Sequence, residues 1–127
     1  MSSARVETIE PIALAERIRQ GDDALILIDV READERAFCR ISTETSITDG
    51  HFPMSSIVDR LDELVQTTSD KIVVFYCHHG IRSRRVAAWF LAGGNQGDRV
   101  PASRAVFNLE GGIDRWTTEV DPAIPRY

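Results

Sequence analysis

The sequence predicts an α/β domain with a central, mainly parallel sheet and helices on both faces. Two short apolar runs, Ala24–Val30 and Ile72–Tyr76, are continuous and rich in β-branched residues, as strands buried on both faces are. Segments of helical period alternate with them along the chain, the pattern of strand–helix–strand units.

The elements follow in order. Pro11 suits the first turn of a helix in which Leu14 and Ile18 share a face, and Gly21-Asp-Asp23 ends it. Ala24–Val30 is the first strand, closed by Asp29. Glu32–Arg40 is compatible with a short polar helix, and Ile41–Gly50, rich in Ser and Thr, reads as a loop. Ile57, Val58, Leu61, Leu64 and Val65 make a helical stripe. Ile72–Tyr76 is the second strand, His78–Ser83 a tight loop, and Arg84–Ala92 a helix with Val86, Ala87, Phe90 and Leu91 on its apolar side. Gly93–Ala102 is a further loop, Ala105–Leu109 a third strand and Gly112–Glu119 a last helix, entered through Gly111-Gly112. There is no internal repeat.

Composition narrows the function. The 127 residues suit a single domain over 1–127, large enough for a core without disulfides. A net charge of −5 argues against nucleic acid or an anionic membrane as the main partner. The start, Met1-Ser-Ser-Ala-Arg-Val6, lacks the apolar core of a signal peptide, and no apolar run could span a bilayer, so the expected location is the cytoplasm. There Cys39 and Cys77 are each packed or reactive rather than disulfide-bonded.

Cys77 carries the chemistry. It ends an apolar strand, where α/β sheets bind ligands, and Tyr76-Cys-His-His-Gly-Ile-Arg-Ser83 runs straight into a helix. Backbone N–H groups of such a loop and helix start converge on one centre and stabilise a thiolate, the nucleophilic form. Residues 78–85 hold two His and three Arg and no acid. His51, His78, His79 and the two Cys lack paired zinc-ligand spacing, so no metal is expected. His78 and His79 are expected to add positive charge or shape the entrance. Asp29 is read as a cap on the next turn, and Arg31 as the partner of Glu35 or a nearby carboxylate. Cys39 is taken as a packed thiol near the mouth, and Trp89 and Trp116 as packing residues.

Asp29-Val-Arg-Glu32, Tyr76-Cys-His-His-Gly-Ile-Arg-Ser83 and Asn108-Leu-Glu-Gly-Gly-Ile-Asp-Arg-Trp116, in that order, resemble the rhodanese family. Val120-Asp-Pro-Ala-Ile-Pro-Arg-Tyr127 resembles the end of small bacterial rhodanese-related proteins with a Cys-His-His-Gly loop. The resemblance implies a three-layer rhodanese-like domain. It also implies transfer of sulfane sulfur from thiosulfate or a persulfide donor to a thiol or cyanide acceptor, without a cofactor. Carried over by position, Cys77 matches the persulfide-forming cysteine, and His78, His79, Gly80, Ile81, Arg82 and Ser83 match the substrate-binding cradle. The alternative is a sulfur-relay or regulatory module that binds a partner, such as a sulfur-carrier protein, with little turnover on small donors. Cys77 and Arg82 bracket four residues, whereas related phosphatase domains resemble Cys-(five residues)-Arg; the shorter loop favours one sulfur atom over phosphate or arsenate. The family's Gly-His-Ile-Pro-Gly-Ala-like segment is matched late, by Gly50-His-Phe-Pro-Met-Ser55, with Cys39-Arg-Ile41 in the usual place, so an insertion is expected around Ser42–Gly50.

Overall fold

A computed structural model describes residues 6–42, 47–93 and 105–127. Strands β1 (Glu7–Ile9), β2 (Leu25–Asp29), β3 (Thr48–His51), β4 (Ile72–Tyr76) and β5 (Val106–Leu109) form one sheet in the order β1-β5-β4-β2-β3, every neighbouring pair parallel. The helices are α1 (Pro11–Arg19), α2 (Ala33–Phe38), α3 (Leu61–Thr67), α4 (Ile81–Leu91) and α5 (Gly112–Glu119), with a 3-10 turn at Val58–Arg60. Among the described residues no helix is long and apolar enough to cross a membrane.

The period of two along each strand splits the core. Ile26, Ile28, Val73, Phe75 and Val106 face one side, where Leu61 and Leu64 of α3 and Val86, Ala87 and Phe90 of α4 cover them. Leu25, Leu27, Val74, Tyr76 and Leu109 face the other, against Leu14 and Ile18 of α1 and Ile113 and Trp116 of α5. The central strands β2 and β4 are buried on both faces and are apolar apart from Asp29 at the end of β2. The chain leaves β2 for β3 on one side and returns through α3 to β4 on the other, which opens a crevice at the carboxyl ends of β2 and β4.

Three boundaries differ from the sequence expectation. β1 was not foreseen, and β3 falls inside Ile41–Gly50, read as a loop. Both are edge strands, short and largely polar, specified by backbone pairing to β5 and β2 instead of by an apolar pattern. Helix α4 starts at Ile81, not Arg84, because Gly80 at φ +95° caps it. Residues 43–46 of the expected insertion and 94–102 of the Gly93–Ala102 loop lie outside the described residues.

Candidate active site

Strand alternation aims Cys77. It continues the Val73–Phe75 parity beyond the end of β4, toward the α3/α4 face, and is 1% exposed. There the Gly80 and Ser83 N–H groups donate to its Sγ from 3.1 and 3.3 Å, and the Ser83 hydroxyl lies 3.3 Å away. Helix α4 points its N-terminus, with its partial positive charge, at the sulfur. A second turn clasps the loop from α5. The Ile113 and Asp114 N–H groups donate to the carbonyls of Cys77 and His78 at 2.9 and 3.0 Å. This approach requires glycine at 112: a Cβ there would lie 2.5 Å from both carbonyl oxygens, at φ +62°.

Nothing in the sequence around Asn108 assigns it a role. The same alternation turns it with Val106 toward α4, where it is buried. Its Nδ2 donates to the Gly80 carbonyl at 3.1 Å, which leaves Oδ1 2.5 Å from the Ser83 hydroxyl. One side chain thus ties together the two residues whose N–H groups reach the sulfur. Ser83 has a single hydroxyl proton, which Asn108 and Cys77 compete for.

The mouth is a cavity of about 270 Å³ lined by Cys77, His78, His79, Ile81 and Arg82. With Gly80 and Ser83 at the sulfur, the fold brings together all seven residues that the loop motif suggested. Their electrostatics differ from the expected basic cluster. Arg82 makes two bonds to the Glu35 carboxylate at 2.7 and 2.9 Å. These bonds, helped by Tyr127 and opposed by partial burial, pull the Glu35 carboxyl down to about 2. The Tyr127 hydroxyl donates to Glu35 at 2.8 Å and accepts from Arg31 at 2.9 Å. Its ring stacks on His78, which in turn stacks on His79, with centroid distances of 3.8 and 3.9 Å. Burial, then the neighbouring His79, lowers the His78 pKa, which disfavours the charged form. His78 Nε2 is buried with no hydrogen-bond partner among the described residues. Arg84 reaches away to Thr8 and Glu110.

Arg31 is fully buried and pairs with Asp29, not with the Glu35 carboxylate: Nε and Nη2 bond Asp29 at 2.9 and 2.8 Å. It also donates to the carbonyls of Glu35 and Cys39. Burial works against its charge, and the bonds to Asp29 and Tyr127 outweigh it. The Gly50–Ser55 stretch lies beside this pair, with His51 Nε2 2.7 Å from the Arg31 carbonyl and the Phe52 N–H on that of Asp29. Cys39 does not line the mouth; its sulfur sits 3.6 Å from the Pro125 carbonyl and 4.0 Å from Arg31. Trp116 packs in the core and Trp89 against it, where Trp89 also lines an apolar groove with Met54, Ile57, Val58, Arg85 and Val86.

The fold creates a potential ligand group that sequence spacing did not show. His78, His79 and Asp114 each place one ligand atom within 4.8 Å of the others. Asp114 is already held by two bonds from Arg126, at 2.9 and 3.1 Å, and the two rings lie face to face, so the set is a poor cation cage. Glu35, Asp114 and Tyr127 fall in stretches distant from the cysteine loop, and nothing local to any of them marks it as part of the site.

The profile of the Rhodanese-like domain family matches residues 10–119. The chain belongs to the rhodanese family. A Bacillus subtilis (strain 168) protein named "Putative sulfurtransferase YtwF" is 32% identical over 117 residues, which cover 92% of this chain and 96% of that protein. Reduced Bacillus anthracis CoADR-RHD superposes with a TM-score of 0.68 at 24% identity; the match covers 94% of this chain but only 18% of that one. Ygr203w, described as a yeast protein tyrosine phosphatase of the rhodanese family, superposes with a TM-score of 0.70 at 20% identity, covering 97% of this chain and 93% of that one. At those identities the two superpositions establish the shared fold alone. This rhodanese-like chain therefore has the three-layer α/β architecture its sequence implied and a curated relative named as a sulfurtransferase.

Proposed function

We propose that the chain is a sulfurtransferase that carries sulfane sulfur as a persulfide on Cys77. The observation that carries this reading is the Cys77 sulfur, buried at the end of β4 and hydrogen-bonded by two N–H groups at the start of α4. Such donors suit the negative terminal sulfur of a persulfide. In the first half-reaction the Cys77 thiolate attacks the outer sulfur of the donor. A new S–S bond forms, the donor's own bond to that sulfur breaks, and the leaving group departs with the electron pair, as sulfite from thiosulfate or a thiolate from a persulfide. In the second, an acceptor thiolate or cyanide attacks the outer sulfur and the Cys77 thiolate is restored. No net oxidation occurs and no general base is needed once the thiolate is formed.

Two features favour sulfur over phosphate. The loop from Cys77 to Arg82 is short, and both terminal nitrogens of the Arg82 guanidinium are already held by Glu35. The test is intact mass. Incubation with thiosulfate or an organic thiosulfonate should add one sulfur, about 32 Da, and Cys77→Ser should lose both the adduct and cyanide-dependent thiocyanate formation. Full activity in Cys77→Ser, or efficient hydrolysis of an aryl phosphate by the wild type, would overturn the proposal.

A further inference from the structure

Among the described residues, the mouth is built without a free Lys or Arg. Arg82 is the one Lys or Arg side chain among the described residues that line it, and Glu35 binds it through both terminal nitrogens. Glu35 is itself fixed from three sides. Tyr127 donates to one oxygen, Arg82 to both, and the Glu32 N–H to the other, as part of the α2 capping box. The surrounding charges are closed as well: Arg126 is on Asp114, and Arg31 and Arg36 are on Asp29. Arg85, one turn along α4, lines the separate groove beside Trp89. Beside the paired Arg82, the mouth presents the exposed Ile81 side chain and the stacked His78 and His79 rings, with the Tyr127 ring behind them against His78.

From this arrangement we infer that Glu35 sets donor specificity. By neutralising Arg82 it selects an organic sulfane-sulfur donor with a single negative charge and an apolar body, over the small dianion thiosulfate. The inference rests on the sulfurtransferase reading above. A dianion entering this mouth gives up hydration without meeting an unpaired cation, whereas an apolar body gains contact with Ile81 and the ring faces. The low carboxyl pKa of Glu35 keeps the pair closed throughout the neutral range.

Thiosulfate and benzenethiosulfonate make a matched pair of probes, since both carry the transferable sulfur on a sulfonyl-type sulfur and differ by one charge and a phenyl ring. Attack by the Cys77 thiolate breaks that S–S bond in each and releases sulfite or benzenesulfinate with the electron pair. With cyanide as acceptor, kcat/KM is measured for both donors in the full-length chain. The wild type should prefer the thiosulfonate. Glu35→Gln keeps a side-chain oxygen for the capping box and frees the Arg82 charge, so the thiosulfonate-to-thiosulfate ratio should fall roughly tenfold. That is the size expected for one extra unit of donor charge near an unpaired guanidinium in a half-wet mouth. The variant's thiosulfate kcat/KM should also become steeply salt-dependent, which a merely structural defect would not produce. Adding Arg82→Gln to Glu35→Gln should return the ratio toward the wild-type value, because the local charge is again zero. Should Glu35→Gln fail to fold, Arg82→Gln alone leaves a bare carboxylate and should move the ratio further against thiosulfate. Persulfide formed from both donors with a ratio unchanged in these variants would overturn the inference and leave the sulfurtransferase reading standing. No persulfide on Cys77 from either donor would overturn that reading, and the inference with it.

Discussion

Replacing Gly112 by Ala should damage the site from a position that touches no substrate. The new Cβ would lie 2.5 Å from the carbonyl oxygens of Cys77 and His78. Ordinary contact begins at 3.4 Å, so the two turns must separate by about 0.9 Å, the difference of these distances. The bonds from Ile113 and Asp114 to those carbonyls, now 2.9 and 3.0 Å, would then stretch beyond hydrogen-bonding range. Two lost bonds at about 1 kcal/mol each, with about 1 kcal/mol for alanine at positive φ, give a loss of about 3 kcal/mol. For a domain of this size that lowers Tm by roughly 10 °C. Because the displaced residues include Cys77, the proposed nucleophile, a shift of ~1 Å should also slow sulfur transfer by as much as ~100-fold. Gly21→Ala is the internal control, with φ +74° and no atom within 4 Å of its Cβ. It should cost only about 1 kcal/mol and leave the transfer rate unchanged. Thermal denaturation and initial rates of thiocyanate formation read both effects. Equal stability losses in the two variants, with full activity in Gly112→Ala, would refute the idea that the α5 turn holds the cysteine loop in place.

Asn108→Ala removes the amide that joins Ser83 to the Gly80 carbonyl; it should destabilise the fold by about 1–3 kcal/mol in urea titrations and slow transfer as the loop loosens. Acid stability should report Glu35. Its folded value, about 2, lies below the ordinary 4.5, so its contribution is complete above about pH 4.5 and is lost as pH falls toward 2. Urea midpoints measured across that window should decline less steeply in Glu35→Gln than in the wild type, and parallel profiles would show that the Arg82 pair adds no stability.

The cysteine loop and the layered α/β order were legible from local pattern. Two short β-branched apolar runs suit doubly buried strands, and a cysteine at the end of one, followed by a glycine and a helix, suits the carboxyl edge of the sheet. The period of two even contained the direction of Cys77 and Asn108, although only the fold shows which face α4 occupies. Strands β1 and β3 escaped because an edge strand is held by its neighbour's backbone and needs no apolar signature. The charge of the site was misread for a related reason. Residues 78–85 are basic as a string, and nothing local reveals that Arg82 is matched by Glu35, 47 positions away, or that Tyr127 bridges Glu35 to Arg31 across 96. Periodicity and turn chemistry act between near neighbours and are written in the sequence itself. Charge pairing acts through space, so whether an arginine awaits a substrate or already holds a carboxylate is decided only when α2 and the segment ending in Tyr127 pack against the cysteine loop.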